Sequence, residues 1–279
     1  MTGVHIVTDS SCDLTEEQAA AAGVRIVPLN IRFGSEEFVD REQLSVSDFY
    51  ARMASTGILP ETSAPSPGRF EQAFREAAEA GATAVVCINL SSELSATMQS
   101  ARTAASALEG QIDVRVIDSL SITGALGTMV LDAAALAASG ADADAVEALV
   151  RSMVVRTEMF GALDTLDNLK KGGRIGGAKA LLGSMLSVKP IIQIKDGKVE
   201  EAGKQRTRRR ALEWMRDQLL NEPVVEELSI MHGEAEDLDV FLEMIASRFP
   251  RESIRVGTIG AVIGTHGGPG VIAMCYLRA

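Results

Sequence analysis

The chain predicts an α/β protein in two domains. The first, over residues 1–157, is a mostly parallel sheet with helices on both faces. The second, over residues 158–279, is a smaller α+β domain. Three observations carry this. Short β-type runs alternate with helical patterns through the first half, the rhythm of βαβ units. Hairpin chemistry, Asp196-Gly197 between two apolar runs, enters only in the second half. The 279 residues, 46% of them hydrophobic, suffice for two modest cores.

In the first half, Val4–Thr8, Arg25–Ile31, Ala84–Asn89 and Val114–Ile117 read as strands. Thr15-Glu16-Glu17-Gln18 fits a capping box that opens a helix. Ser66-Pro67 opens another, with proline suited to the first helical position. Further helices are expected over Ser95–Leu108, Ile122–Ser139 and Ala143–Thr157. Beyond Thr157, Met159–Leu163 reads as a strand and Asp164–Lys170 as a helix, followed by the basic, glycine-rich stretch Lys171–Gly177. Ala178–Val188 reads as a helix that stops before Pro190. Pro190–Ile194 and Val199–Ala202 form the hairpin. Helices over Thr207–Leu220 and Glu236–Phe249 then alternate with strands Glu227–Met231 and Ile254–Ile259, and Val271–Tyr276 closes the pattern as a strand.

Composition narrows the function classes. A net charge of -11 and 4% aromatics argue against broad nucleic-acid binding and against an anionic membrane surface. Cys12, Cys87 and Cys275 are widely spaced and form no CxxC pair, and the three histidines show no HxxxH or HxH spacing. Neither a disulfide framework nor a zinc centre is expected. The N-terminal residues carry no basic leader before an apolar run, and the stretch around Met129–Ala138 is broken by Asp132 and too short to span a bilayer. A cytoplasmic protein without stable membrane insertion is expected.

Hydroxyl side chains recur just after the predicted strands: Ser10-Ser11, Ser91-Ser92 with Ser95, and Ser119 with Ser121 and Thr123. Thr62-Ser63 adds a further pair in a segment stiffened by Pro60, Pro65 and Pro67. In an open α/β sheet such positions line the ligand crevice, so a pocket for a small oxygen-bearing head group is the leading idea. Helix capping and ordinary turn chemistry supply the competing explanation for the same residues. His266 lies in Gly264-Thr265-His266-Gly267-Gly268-Pro269-Gly270, a setting expected to present the imidazole at a sharp turn. A nucleophilic site could be drawn from Ser95 and His266, although no G-x-S-x-G elbow is present. Lys171–Gly177 lacks phosphate-loop spacing. The basic run Lys204–Arg210 reads first as a solvated helix start, and second as a protein or phosphate contact.

Seven segments, taken in order, resemble the DegV family of bacterial fatty-acid-binding proteins. They are Thr8-Asp9-Ser10-Ser11, Thr62-Ser63-Ala64-Pro65-Ser66-Pro67, Leu90-Ser91-Ser92-Glu93-Leu94-Ser95-Ala96-Thr97, Ile117-Asp118-Ser119, Leu169-Lys170-Lys171-Gly172-Gly173-Arg174-Ile175, Lys189-Pro190-Ile191 and the loop around His266. The resemblance implies two α/β domains enclosing a long acyl chain, with a separate ATP-dependent fatty acid kinase as partner and no cofactor. It implies a head-group site at Thr62, Ser63, Ser92, Ser95 and His266, with Ser95 favoured over Ser92, and places Arg174 at the mouth, facing the kinase or an acyl phosphate. No catalytic nucleophile is implied, and the expected role is a lipid carrier in lipid metabolism or transport. A self-sufficient hydrolase or phosphotransfer enzyme using Ser95 and His266 is the alternative, and a regulatory protein using Arg206–Arg210 a third. The chain departs from the family pattern at Ala64, at Ala96 and after His266. An apolar tunnel suits the role, at about 0.8 kcal/mol per buried methylene, and the eleven methionines are candidates for part of its lining.

Overall fold

The structure, a computed structural model, describes residues 3–279, with backbone only over 183–187. Met1 and Thr2, where the expected first domain begins, lie outside the described residues. The chain runs β1 (Val4–Asp9), α1 (Glu16–Ala22), β2 (Val24–Val27), β3 (Asn30–Phe33), β4 (Glu36–Val39), α2 (Val46–Thr56), β5 (Glu61–Ser63), α3 (Pro67–Glu79), β6 (Ala84–Asn89), α4 (Thr97–Ala107), β7 (Asp113–Asp118), α5 (Thr123–Ala138) and α6 (Ala143–Arg156). It continues with β8 (Thr157–Ala162), α7 (Asp167–Lys171), β9 (Lys189–Lys195), β10 (Lys198–Gln205), α8 (Arg208–Asn221), β11 (Val225–His232), α9 (Leu238–Ile245), β12 (Arg255–Thr258), α10 (Ala261–Gly267) and β13 (Ile272–Arg278).

Four strands make a wholly parallel sheet in the order β2-β1-β6-β7. Its central strand β6 is buried at every position, as a strand covered on both faces should be. Thr15 caps α1 reciprocally: Gln18 N–H donates to the Thr15 hydroxyl at 3.2 Å, and Thr15 N–H to the Gln18 side chain at 2.9 Å. Six strands make the second sheet, in the order β10-β9-β8-β13-β11-β12, antiparallel except for the β11–β12 pair. Asp196 and Gly197 both take positive φ in the two-residue turn between β9 and β10, as the Asp-Gly pair requires. Sheet membership changes at Thr157, since every strand of the parallel sheet precedes it and every strand of the mixed sheet starts at or after it.

Helix α5 joins the two sheets. It is buried along most of its length and packs on β1 and β6 on one side and on β8, β11 and β13 on the other. Glycine permits this approach: a Cβ on Gly124 would stand 2.6 Å from Ser229 Oγ, and one on Gly127 would stand 2.7 Å from the Cys12 carbonyl oxygen. One apolar cluster therefore runs without a break from Ile6, Val86 and Ile88, through Leu126 and Val130, to Met159, Ile192 and Ala273.

Several elements differ from expectation. The expected strand Arg25–Ile31 is two strands, because Pro28 has no N–H to donate to a ladder. After Pro28 the chain leaves the parallel sheet and forms a separate antiparallel sheet, β4-β3-β5, with Thr62 and Ser63 in its edge strand. Helix α2 lies in a stretch assigned no element from sequence, and Ser45 caps it. Ser95 precedes α4 instead of starting it. The helix expected over Ala178–Val188 is a 3-10 helix over Gly176–Ser187. Gly176 has positive φ, and the site of its missing Cβ is only 2.1 Å from the Val199 carbonyl oxygen. Finally, His266 is in the last turn of α10, and the sharp turn comes after it, at Gly268 and Gly270, both with positive φ.

Candidate head-group site and tunnel

Most of the hydroxyls that follow the strands serve the scaffold. Asp9, at the end of β1, accepts from Ser11 N–H (3.1 Å), the Ser11 hydroxyl (2.5 Å), Asn89 Nδ2 (3.1 Å) and Leu90 N–H (2.9 Å). This network fills the space outside the carboxyl ends of β1 and β6, where the strand order reverses and a ligand crevice would lie. The Ser10 hydroxyl accepts from Leu29 N–H, and the Ser119 hydroxyl donates to the Ser121 carbonyl. Ser91 donates to the Gly197 carbonyl at 2.7 Å, docking the tip of the β9–β10 hairpin onto the serine loop. Ser92 is exposed, its hydroxyl donates to Asp118, and it does not line the cavity described below. These groups are already satisfied, so the crevice expected from sequence is closed by its own polar side chains.

The cavity lies beyond that network, between the parallel sheet, the β4-β3-β5 sheet and the mixed sheet. Its volume is about 220 Å³. Leu163, Ile192, Ile194, Val199 and Val271 form much of its wall, with Met159 the one methionine among the described lining residues. Branched aliphatic side chains therefore make up most of the described wall. Gly161, on β8, also lines the cavity, and a Cβ there would stand 3.3 Å from Ile192 Cγ1.

Polar groups gather at one end. Thr62, Ser63, Ser95, Arg174 and His266, each expected from sequence, all line this cavity, and Arg174 is the only lining side chain with a formal charge at neutral pH. Thr62 Oγ1 is 3.0 Å from His266 Nε2. Ser95 Oγ is 2.9 Å from Thr97 Oγ1 and accepts from Thr97 N–H at 3.3 Å. The N-cap residue Ala96 has no capping side chain and Ser95 takes the first N–H of α4, so the positive end of that helix faces Ser95. Arg174 donates through Nε to the Leu94 carbonyl (3.1 Å) and through Nη1 to the Gly172 carbonyl (2.7 Å). The guanidinium thus ties the loop after α7 to the serine loop. Ser63 and Ala96 are exposed, so this end opens to solvent.

Burial first, and the Arg174 charge second, push the His266 pKa down from 6.5 to about 4. The imidazole is therefore neutral at pH 7 and carries one N–H. Nδ1 has no hydrogen-bond partner among the described residues. A proton on Nδ1 would be an orphaned buried donor, the costlier kind of unpaired group. We assign it to Nε2, which donates to Thr62 Oγ1 and leaves the threonine O–H free to donate into the cavity.

Two contributors to this geometry escaped sequence reasoning. Asn168, on α7, donates through Nδ2 to the Thr265 carbonyl at 2.9 Å, holding the end of α10 beside His266. Gly172 lies against the imidazole, and a Cβ there would stand 2.4 Å from Nδ1. The paired glycines of Lys171-Gly172-Gly173-Arg174 were the available signal for such close packing, whereas Asn168 gave none.

Fold and site together define an α/β protein with an apolar cavity and a hydroxyl-bearing polar end that opens to solvent. Among the described residues no cluster of His, Cys, Asp or Glu suits a metal ion. The model of the family described as "Uncharacterised protein, DegV family" matches residues 3–279, and the chain belongs to that family. A DegV domain-containing protein of Halalkalibacterium halodurans is 34% identical over 285 residues, covering 99% of each chain. One from Streptomyces coelicolor is 34% identical over 277 residues, covering 97% of each. Among solved structures, a DegV family protein from Thermus thermophilus described by its fatty acid binding superposes with a TM-score of 0.90 at 32% identity, over 100% of both chains. A stearic acid-binding protein from Eubacterium ventriosum superposes at 0.88 with 28% identity, over 100% of this chain and 98% of that one. Among the described residues no helix is long and apolar enough to cross a membrane.

Proposed function

We propose that this protein binds a long-chain fatty acid, with the acyl chain in the aliphatic cavity and the carboxylate at Thr62, Ser95 and His266. The observation that carries the reading is the pairing of that cavity with one polar end, where Thr62 and His266 are 3.0 Å apart. Each buried methylene contributes about 0.8 kcal/mol, so a chain of this class is held chiefly by its length. The carboxylate needs donors in place of water. The Thr62 hydroxyl, the Ser95 hydroxyl and the positive end of α4 provide them, with Ser63 at the rim. Ser92, bonded to Asp118 away from the cavity, has no part in this proposal.

The same reading makes the protein a carrier that presents its ligand to a separate ATP-dependent kinase, which forms the acyl phosphate. Support comes from the opening of the polar end to solvent beside Ser63 and Ala96, and from the Arg174 guanidinium set there to meet an anion or a partner. The hydrolase alternative lacks matching geometry: Ser95 pairs with Thr97, the hydroxyl at His266 belongs to Thr62, and among the described residues no carboxylate orients the imidazole.

Native mass spectrometry of the purified chain, followed by denaturing extraction, tests the carrier reading. A stoichiometric fatty acid, or loading by added oleate, is the expected result. A chain that arrives empty and fails to load oleate would overturn it. Acyl-phosphate formation from the loaded chain with ATP and a fatty acid kinase, absent without either protein, tests the partnership.

A further inference from the structure

Helix α10 carries His266 at its end and starts from a buried carboxylate. Gly260, the residue before its first turn, donates its N–H to Asp13 Oδ1 at 2.9 Å. The packing there is tight, since a Cβ on Gly260 would stand 2.7 Å from the same oxygen. One residue earlier, the Ile259 carbonyl accepts from the Tyr50 hydroxyl at 3.0 Å. Midway, a Cβ on Gly264 would stand 2.8 Å from both Phe49 Cε1 and the Tyr50 hydroxyl, so α10 packs closely on α2. A seven-residue helix moves as a short rod, and a shift at its first residue reaches its last.

The surroundings of Asp13 are specialised. Its carboxylate has no solvent exposure, and Arg41 Nη2 is 3.5 Å away. Oδ2 faces the Thr123 hydroxyl, and neither atom makes a hydrogen bond of ordinary geometry among the described residues. Asp13, Arg41, Thr123 and Glu234 all have positive φ, at 52°, 65°, 46° and 54°. Such conformations in residues other than glycine persist only where surrounding structure enforces them, and they gather at functional sites. The anchoring of α10 does not require an ionisable group, yet a buried aspartate supplies it, with a partly buried arginine beside it.

We infer that Asp13 is a positioning residue for the head-group site: by holding the Gly260 N–H it fixes α10, and with it the reach of His266 to Thr62. The consequence for ligand affinity rests on the fatty-acid reading above; the seating of the imidazole does not. Burial, opposed by Arg41, lifts the Asp13 pKa to about 7. The carboxylate thus exchanges between charged and neutral forms near neutrality, and the charged form is the stronger acceptor. The other groups around it are Arg41 and Asp40 before α2, Cys12 after β1, Tyr50 on α2 and Cys275 on β13. Glu16, His232 and Glu234 share the groove at Asp13.

The test uses the full chain with histidine-selective 15N labelling, which gives only three imidazoles, those of His5, His232 and His266. His266→Gln assigns the third. In the wild type, the His266 ring signals should move with a midpoint near pH 7, well above the ring's own titration. Asp13→Asn, which keeps an acceptor for Gly260, should abolish that step. Asp13→Ala should shift the signals at every pH and weaken oleate binding about tenfold, and Asp13→Asn should recover most of that affinity. His266 signals that do not move between pH 6 and 8 in the wild type, or that keep the same step in Asp13→Asn, would overturn the inference. The Asp13→Asn comparison decides even if Asp13→Ala fails to fold. If no form binds oleate, the carrier reading falls, while the imidazole signals still decide the role of Asp13.

Discussion

Thr62 and His266, separated by 204 residues of sequence, meet at 3.0 Å. Neither is placed by its local motif alone. Thr62 is held in the edge strand of the small antiparallel sheet, opposite Ile31, and His266 in the last turn of α10, which packs against that sheet. The pair forms because a short sheet and a short helix dock on one another. On the proposed reading, removing the threonine hydroxyl deprives a bound carboxylate of one donor and the imidazole N–H of its acceptor. Thr62→Val should therefore weaken oleate binding about 10- to 100-fold, the cost of one or two unmet buried hydrogen bonds. Thr62→Ser should stay within about threefold. Calorimetric titration of the lipid-stripped protein gives both values.

The depressed His266 pKa has a definite sign for stability. Between pH 6.5 and about 4, the unfolded chain binds a proton at this position that the folded chain refuses. Stability from this group is thus fully present above 6.5 and is lost as pH falls toward 4, by up to about 3 kcal/mol. Urea unfolding at pH 7 and pH 4.5 should show a smaller loss for His266→Gln than for the wild type. An equal loss in the two proteins would assign the acid sensitivity to other groups.

Gly161 tests the tunnel apart from the head group. Its missing side chain leaves space between Ile192 and Leu163, where a new Cβ would lie 3.3–3.5 Å from their side chains. Gly161→Val adds further methyl groups at the same place and should narrow the passage. Retention of an 18-carbon acid should fall at least tenfold, while an eight-carbon acid should lose much less. Equal losses for both chains would mean that the substitution disturbs the head-group end.

The legibility of this molecule follows from how local each feature is. The capping box at Thr15, the buried run Ala84–Asn89 and the Asp196-Gly197 turn are fixed by neighbours in sequence, and each is found where expected. The β4-β3-β5 sheet is hard to read because its strands are three or four residues long and only β3 alternates polar with apolar residues, and β3 and β5 find their support in a distant element, α10. The hydroxyls show the same division. Ser10, Ser91 and Ser95 are chemically identical and all occur beyond strands, but Ser10 accepts from Leu29, Ser91 holds a hairpin and Ser95 faces the cavity. Only tertiary placement separates a scaffold hydroxyl from one that lines a cavity.

The basic run Arg206–Arg210 makes the same point in a residue type usually read as surface charge. Arg208 pairs with Asp237 at 2.8 Å and donates to the Ala162 carbonyl (3.0 Å) and the Gly270 carbonyl (2.6 Å). It therefore fastens the start of α8 to the end of β8 and to the glycine turn beyond His266. Arg209 pairs only with Glu213, one turn along the same exposed helix face. Surface pairs of that kind contribute little, and a partly buried guanidinium with three partners contributes more. Arg208→Ala should cost about 2–3 kcal/mol of stability and, by loosening Gly270, weaken oleate binding a few-fold. Arg209→Ala should change stability by less than about 0.5 kcal/mol and leave binding alone. Denaturant midpoints and oleate titrations of the two variants separate these roles, and a larger effect at Arg209 would return the run to the surface as a docking element for a partner.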